Sequence, residues 1–145
     1  MQKISPFLWF DNEAEAAARF YVSIFGNSRI ISASPMMTIF ELDGIEVMAL
    51  NGGPSFKFNE AFSLFVKCET QAEVDYFWDK LRQGGGSEGR CGWLKDRYGL
   101  SWQVAPNALA RLLGDKDREK ANRAMQAMLQ MKKLIVADLE QAFAG

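Results

Sequence analysis

Two patterns of apolar and polar positions run through this chain, and they recur in the same order. The stretch ISPFLWF leads to Asn12, with Glu15 three positions on, and then to Ala17, Phe20, Tyr21 and Ile24 at i, i+3, i+4 and i+7. Further along, AFSLFVKC leads to Thr70, with Glu73 three positions on, and then to Val74, Phe77, Trp78 and Leu81 at the same spacing. Each run predicts a strand followed by an amphipathic helix with a capped start. The expected caps lie 58 residues apart and the apolar stripes 57, which implies a one-residue adjustment at one helix start.

A glycine signal follows each helix, and then a hairpin. MTIFEL and IEVMAL flank Asp43-Gly44, a two-residue turn whose central positions favour positive φ. GWLKD and LSWQV flank Arg97-Tyr98-Gly99, a three-residue loop with glycine at the left-handed position. Each half therefore reads β-α-β-β-β, and a doubled unit of this kind predicts paired half-sites.

After Pro106 the repeat stops. Asp115-Lys116-Asp117 opens a helical run with Ala121, Ala124, Met125, Met128 and Lys132 at helix spacing, and a short helix is expected from about Val136 to Phe143. Met125, Met128 and Met131 form either an adaptable partner surface or a stripe that packs on its own domain.

Composition narrows the classes of function. With 145 residues, 48% hydrophobic and 24% charged, the chain is long enough for one good core. Net charge is −1 and the basic residues are scattered, so no nucleic acid and no membrane surface is expected as partner. The N-terminal MQKISPFLWFDNE lacks a cleavable leader pattern, and no apolar run reaches membrane-span length, so a cytoplasmic protein is expected. Cys68 and Cys91 are too few for a disulfide framework and read as reduced thiols.

The doubled unit, with its Asp-x-x-Gly hairpin near the end of the second copy, resembles the vicinal oxygen chelate superfamily of glyoxalases, dioxygenases and bleomycin-resistance proteins. The segments that carry the resemblance are FDNEAEAAARFYVSIFG, FELDGIEVMALNGG, CETQAEVDYFWDKL and CGWLKDRYGLSWQV. Together they look like the PhnB-like branch, often labelled as 3-demethylubiquinone 3-methyltransferase domains. The resemblance implies an α+β fold of two tandem βαβββ modules, about residues 1–52 and 60–105, forming a half-open barrel cleft. It implies a glyoxalase-like domain over 1–105, a C-terminal helical extension over 106–145 packed on it, and a homodimer.

Metal-using relatives place His and Glu ligands on the concave strands. This chain has no histidine, so a two-His-one-carboxylate site cannot be assembled from it. Where such relatives carry a ligand Glu four residues after Asp-x-x-Gly, Gln103 stands here. The other ligand places fall near Ile4 to Pro6, near Met48 and near Ala61 to Ser63, and none offers a strong donor. No metal and no cofactor are expected.

Strand alternation then phases the cleft from Gln103. Ser101 and Ala105 share its face, with Trp93 and Lys95 across the hairpin, while Leu94, Leu100, Trp102 and Val104 point toward the helices. In the first copy Phe40, Leu42, Ile45 and Val47 face the helix, leaving Ile39, Glu41, Glu46 and Met48 for the cleft. Glu41 and Glu46 would stand opposite each other, and they are either solvated carboxylates or a pair that serves as catalytic base or cation site. Trp93, Lys95, Ser101 and Gln103, with Met48 and Asn51, are the candidate ligand-binding residues for a small aromatic or anionic molecule. The segment from Asn51 to Asn59 is a lid over the cleft or a plain connection between modules.

Three functions stay open. The first is metal-independent binding of a small metabolite. The second is a metal-free lyase or isomerase type of enzyme, with Glu41 or Glu46 as base and Gln103 or Lys95 polarising an oxygen. The third is methyl transfer, for which the chain supplies no glycine-rich turn between a strand and a helix.

Overall fold

In the computed structural model, which describes residues 2–145, the chain divides into two compact units, Met1–Phe58 and Asn59–Gly145. The first runs β1 (Phe7–Phe10), α1 (Ala14–Ile24), β2 (Arg29–Ala33), β3 (Met37–Leu42) and β4 (Ile45–Asn51). The second runs β5 (Ser63–Cys68), α2 (Gln71–Arg82), β6 (Ser87–Glu88), β7 (Trp93–Lys95) and β8 (Ser101–Pro106), then α3 (Asn107–Leu113), α4 (Arg118–Leu129) and α5 (Val136–Ala144).

The two sheets repeat one topology, with orders β1-β4-β3-β2 and β5-β8-β7-β6. In each, the first strand pairs parallel with the last, and the rest of the sheet is antiparallel. This is the doubled βαβββ architecture that the apolar periods predict, an α+β fold with C-terminal helices.

The helix starts differ in how they are capped. At α2, Thr70 Oγ1 accepts from the Glu73 amide at 3.2 Å, and the Glu73 carboxylate accepts from the Glu69 amide at 3.0 Å. At α1 the expected cap by Asn12 and Glu15 does not form. The N-cap is Glu13, and the orphan amide of Ala14 donates to Asn51 Oδ1 at 2.8 Å. Asn51 ends β4 beside Phe10, so strand pairing brings a distant amide group to the helix end and makes a local cap unnecessary. Glu15 instead pairs with Arg19 one turn on, at 2.9 Å. With Glu13 and Thr70 as the true caps, both caps and stripes lie 57 apart, and the expected one-residue adjustment disappears.

Both hairpins form in the expected register. Asp43 and Gly44 have φ of 50° and 81°, closing β3 onto β4 with Leu42 opposite Ile45. Gly99 has φ of 87° in the loop between Lys95 and Ser101. One face of each sheet lies under its helix: Phe40, Leu42, Val47 and Ala49 are buried in the first unit, and Leu94, Leu100, Trp102 and Val104 in the second. Ile45 departs from its expected burial and is 53% exposed, because it stands at the turn, where the strand is only beginning.

The tail belongs to the second unit. The Gln71 side chain donates to the carbonyl of Leu134 at 3.0 Å and accepts from the Val136 amide at 2.7 Å, clipping the chain before α5 onto the start of α2. Leu112, Ala124 and Leu139 form a small core with Met128, Met131 and Phe143 around it, so two of the three stripe methionines pack internally while Met125 stays exposed. Lys132, expected on the long helix, lies beyond its end. The carbonyls of Met131 and Lys132 accept from the amides of Cys91 and Gly92, which draws that backbone out of the helix. Helix α3, which directly follows Pro106, was not among the predicted elements. Among the described residues, no helix is long and apolar enough to cross a membrane.

Candidate functional site

The second unit carries a hollow of about 220 Å³ on its β6-β7-β8 hairpin region, lined by Glu60, Ser87, Glu88, Trp93, Lys95 and Ser101 among others. Three of the predicted binding residues thus meet in one place. The hairpin register explains why: Lys95 pairs with Ser101 and Trp93 with Gln103, which sets all four side chains on the sheet face away from α2.

What fixes this hairpin is Asp96, only 3% exposed. Its Oδ1 accepts from the amides of Tyr98 and Leu100 at 2.8 and 3.1 Å, and its Oδ2 accepts from the Trp102 indole at 2.8 Å. A buried carboxylate with three donors is well satisfied, and it locks the loop that joins Lys95 to Ser101.

Ser101 is the unusual member. The residue is 1% exposed, and its Oγ is buried with no hydrogen-bond partner among the described residues. A buried hydroxyl left unbonded costs about 1–3 kcal/mol, so a group that accepts from it or donates to it gains that amount back. The charged lining groups are engaged. Glu88 pairs with Arg82 at 3.2 Å and Lys132 at 3.8 Å and accepts from the Trp78 indole at 3.4 Å. Lys95 pairs with Glu60, and this ammonium holds the Glu60 carboxyl below the usual carboxylate range.

The remaining predicted residues lie elsewhere. Gln103 stands beside Trp93 in the sheet, and its amide donates to Ser63 Oγ at 3.0 Å, outside the hollow's lining. Met48 and Asn51 belong to the first unit, where Met48 pairs with Phe7 and the Asn51 amide both caps α1 and donates to the Pro35 carbonyl at 2.9 Å. Glu41 and Glu46 do stand directly opposite each other in β3 and β4. Their charges are eased separately, Glu41 by Arg29 at 3.4 Å and Glu46 by the Ser5 hydroxyl at 3.2 Å. The segment after Asn51 is tied down: Gly52 and Gly53 donate to the carbonyls of Phe10 and Asp11, and Trp9 and Phe10 meet Phe56 and Phe58 edge-on.

The lining residues absent from the predicted set are Glu60, Ser87, Glu88, Gly89 and Leu94, the last of which is expected on the helix side of the sheet. Glu60 lies in a turn before β5 and carries no periodic signal, and β6 is two residues long, too short to phase.

These two repeated sheets define a glyoxalase-type fold, and solved structures agree. The match to a glyoxalase-related enzyme from Fulvimarina pelagi has a TM-score of 0.55 at 20% identity, over 75% of this chain and 91% of that one. Protein PA1353 from Pseudomonas aeruginosa matches with a TM-score of 0.59 at 20% identity, over 73% and 98%. The PhnB protein of Bacillus cereus is 36% identical over 72% of this chain and 99% of its own, with a TM-score of 0.68. The family model for 3-demethylubiquinone-9 3-methyltransferase matches residues 2–105, and the chain belongs to that PhnB-like family. No curated protein matches the sequence.

The family name raises the question of an adenosyl methyl donor, and the residues do not fit one. The glycine run at Gly84, Gly85 and Gly86 follows α2 instead of preceding a helix. A Cβ on Gly86 would meet the Lys95 carbonyl at 2.7 Å, so this glycine serves close packing of the helix end on the hairpin. The chain has no histidine, and among the described residues no group of three or more Cys, Asp or Glu side chains lies close enough to hold a metal ion.

Proposed function

We propose that this protein binds a small aromatic carboxylate on the open face of its second sheet without a metal ion. The observation that carries the reading is the Ser101 hydroxyl, buried and unbonded in a hollow shared with the Trp93 ring and the Lys95 ammonium. Stacking on Trp93 would orient a flat ring, while Ser101 and Lys95 would take its polar and anionic groups.

Size supports a single ring. A hollow of about 220 Å³ exceeds the roughly 150 Å³ that accommodates benzene and falls below the roughly 300–1,000 Å³ of drug-sized pockets. Exposed apolar side chains in the first unit, Phe7 at 51% and Ile31 at 42%, support a homodimer that covers them. Residues 1–105 would then form the binding domain, with 106–145 as its extension, in a cytoplasmic protein.

Melting temperature followed across single-ring acids, divalent metals and S-adenosylmethionine tests the reading, because a ligand of the folded state raises it by mass action. Stabilisation by an aromatic acid, lost in Trp93→Ala, is expected. Stabilisation by the adenosyl compound or a metal alone would replace this reading with a catalytic one.

A further inference from the structure

We propose that Glu60 is a built-in competitor for the ligand's anionic group, so that a carboxylate enters the site by displacing the Glu60 side chain from Lys95. The inference rests on the binding site proposed above and adds to it the gate and the charge of the molecule that opens it.

Lys95 is the one cation among the hollow's lining residues, and the group that meets it is a carboxylate from the same chain. Glu60 itself lines the hollow, so its carboxylate lies where an incoming acid has to bind. It is carried by a turn in which Asn59 Oδ1 accepts from the Ala61 amide at 2.9 Å, just ahead of β5. No second cation holds it in place among the described ion pairs. Glu60 and Lys95 are 62% and 45% exposed, and pairs so exposed are weak, which makes the exchange of one carboxylate for another nearly balanced. Glu88 does not compete in the same way, because Arg82 and Lys132 already take its charge. A carboxylate ligand has to replace Glu60 on Lys95, whereas a neutral ligand does not, so the pair lowers the apparent affinity of carboxylates by the fraction of molecules in which Lys95 is occupied and leaves that of neutral ligands unchanged.

The test measures binding of benzoate and of benzamide, its uncharged counterpart, by calorimetry or NMR titration in wild type, Glu60→Gln, Lys95→Met and the double variant. Release of a weak exposed pair is expected to tighten benzoate about three- to fivefold in Glu60→Gln and to leave benzamide within about twofold. With Lys95→Met, benzoate should lose its advantage over benzamide, and adding Glu60→Gln should then tighten benzoate by no more than about twofold, the residual like-charge repulsion, which is less than its effect beside Lys95. Equal benzoate affinity in wild type and Glu60→Gln, with binding still dependent on Trp93, would overturn the gate and leave the site standing. Failure of both probes to bind wild type and Glu60→Gln would overturn the site as well.

Discussion

Asp96 Oδ2 accepts the indole N–H of Trp102 at 2.8 Å while its other oxygen holds two backbone amides of the hairpin loop. One buried carboxylate thus ties the loop to the core side of β8 and sets the register that brings Lys95 opposite Ser101. Hydrogen bonds to a charged group contribute about 1.5–3 kcal/mol each, and they are not additive here. Asp96→Ala is expected to lower the unfolding free energy by about 3 kcal/mol, and Trp102→Phe by about half of that. Urea denaturation measures both, and a loss under about 1 kcal/mol for Asp96→Ala would show that the loop holds without it.

Ser101 should behave in the opposite sense. Its hydroxyl is buried without a partner, so Ser101→Ala removes an unsatisfied group and is expected to leave stability unchanged or raise it by about 1 kcal/mol. Binding of benzoate should weaken in the same variant. A clear loss of stability would mean that the hydroxyl serves the fold and would remove the main support for the site.

Burial pushes the Cys68 thiol up to about 11, with the Glu73 carboxylate adding to the effect. Below the ordinary thiol range both folded and unfolded chains keep the proton, so this contribution to stability is fully present there. Between about pH 9 and 11 the unfolded chain ionises first, and stability falls by about 2–3 kcal/mol as pH rises through the folded value. Denaturation curves of wild type and Cys68→Ala across this window should converge by that amount. Parallel curves would mean that the thiol ionises inside the fold without cost.

The tail is docked by Gln71, whose amide contacts the backbone on both sides of Ile135. Gln71→Ala is expected to cost about 1–2 kcal/mol and to speed hydrogen exchange at the Val136 amide well beyond that of the β5-β8 pairs. Unchanged exchange at Val136 would show that the apolar contacts of Leu134 and Leu139 suffice.

Much of this architecture is legible in the chain because local pattern and tertiary structure agree. The stripes at Tyr21 and Trp78 are buried as their spacing demands, and Thr70 caps the helix that it precedes. Asp43-Gly44 and Gly99 close hairpins whose alternation places Trp93, Lys95 and Ser101 on one face. Sequence reading fails where a distant group does a local task. Asn51 reaches Ala14 through strand pairing, which neither residue's neighbours reveal, and its amide is thereby committed to a helix end. Lys132 leaves the helical pattern because its carbonyl accepts from Gly92, some forty residues earlier in the chain. Glu60 enters the site from a turn that has no periodicity to read.

The most direct measurement is an amide and indole NMR titration of the wild-type protein with benzoate. Shifts concentrated at Trp93, Lys95 and Ser101, and abolished in Trp93→Ala with the rest of the spectrum intact, are the expected result. No shifts at these three residues, or changes confined to other surfaces, would contradict a ligand site on the β7-β8 hairpin.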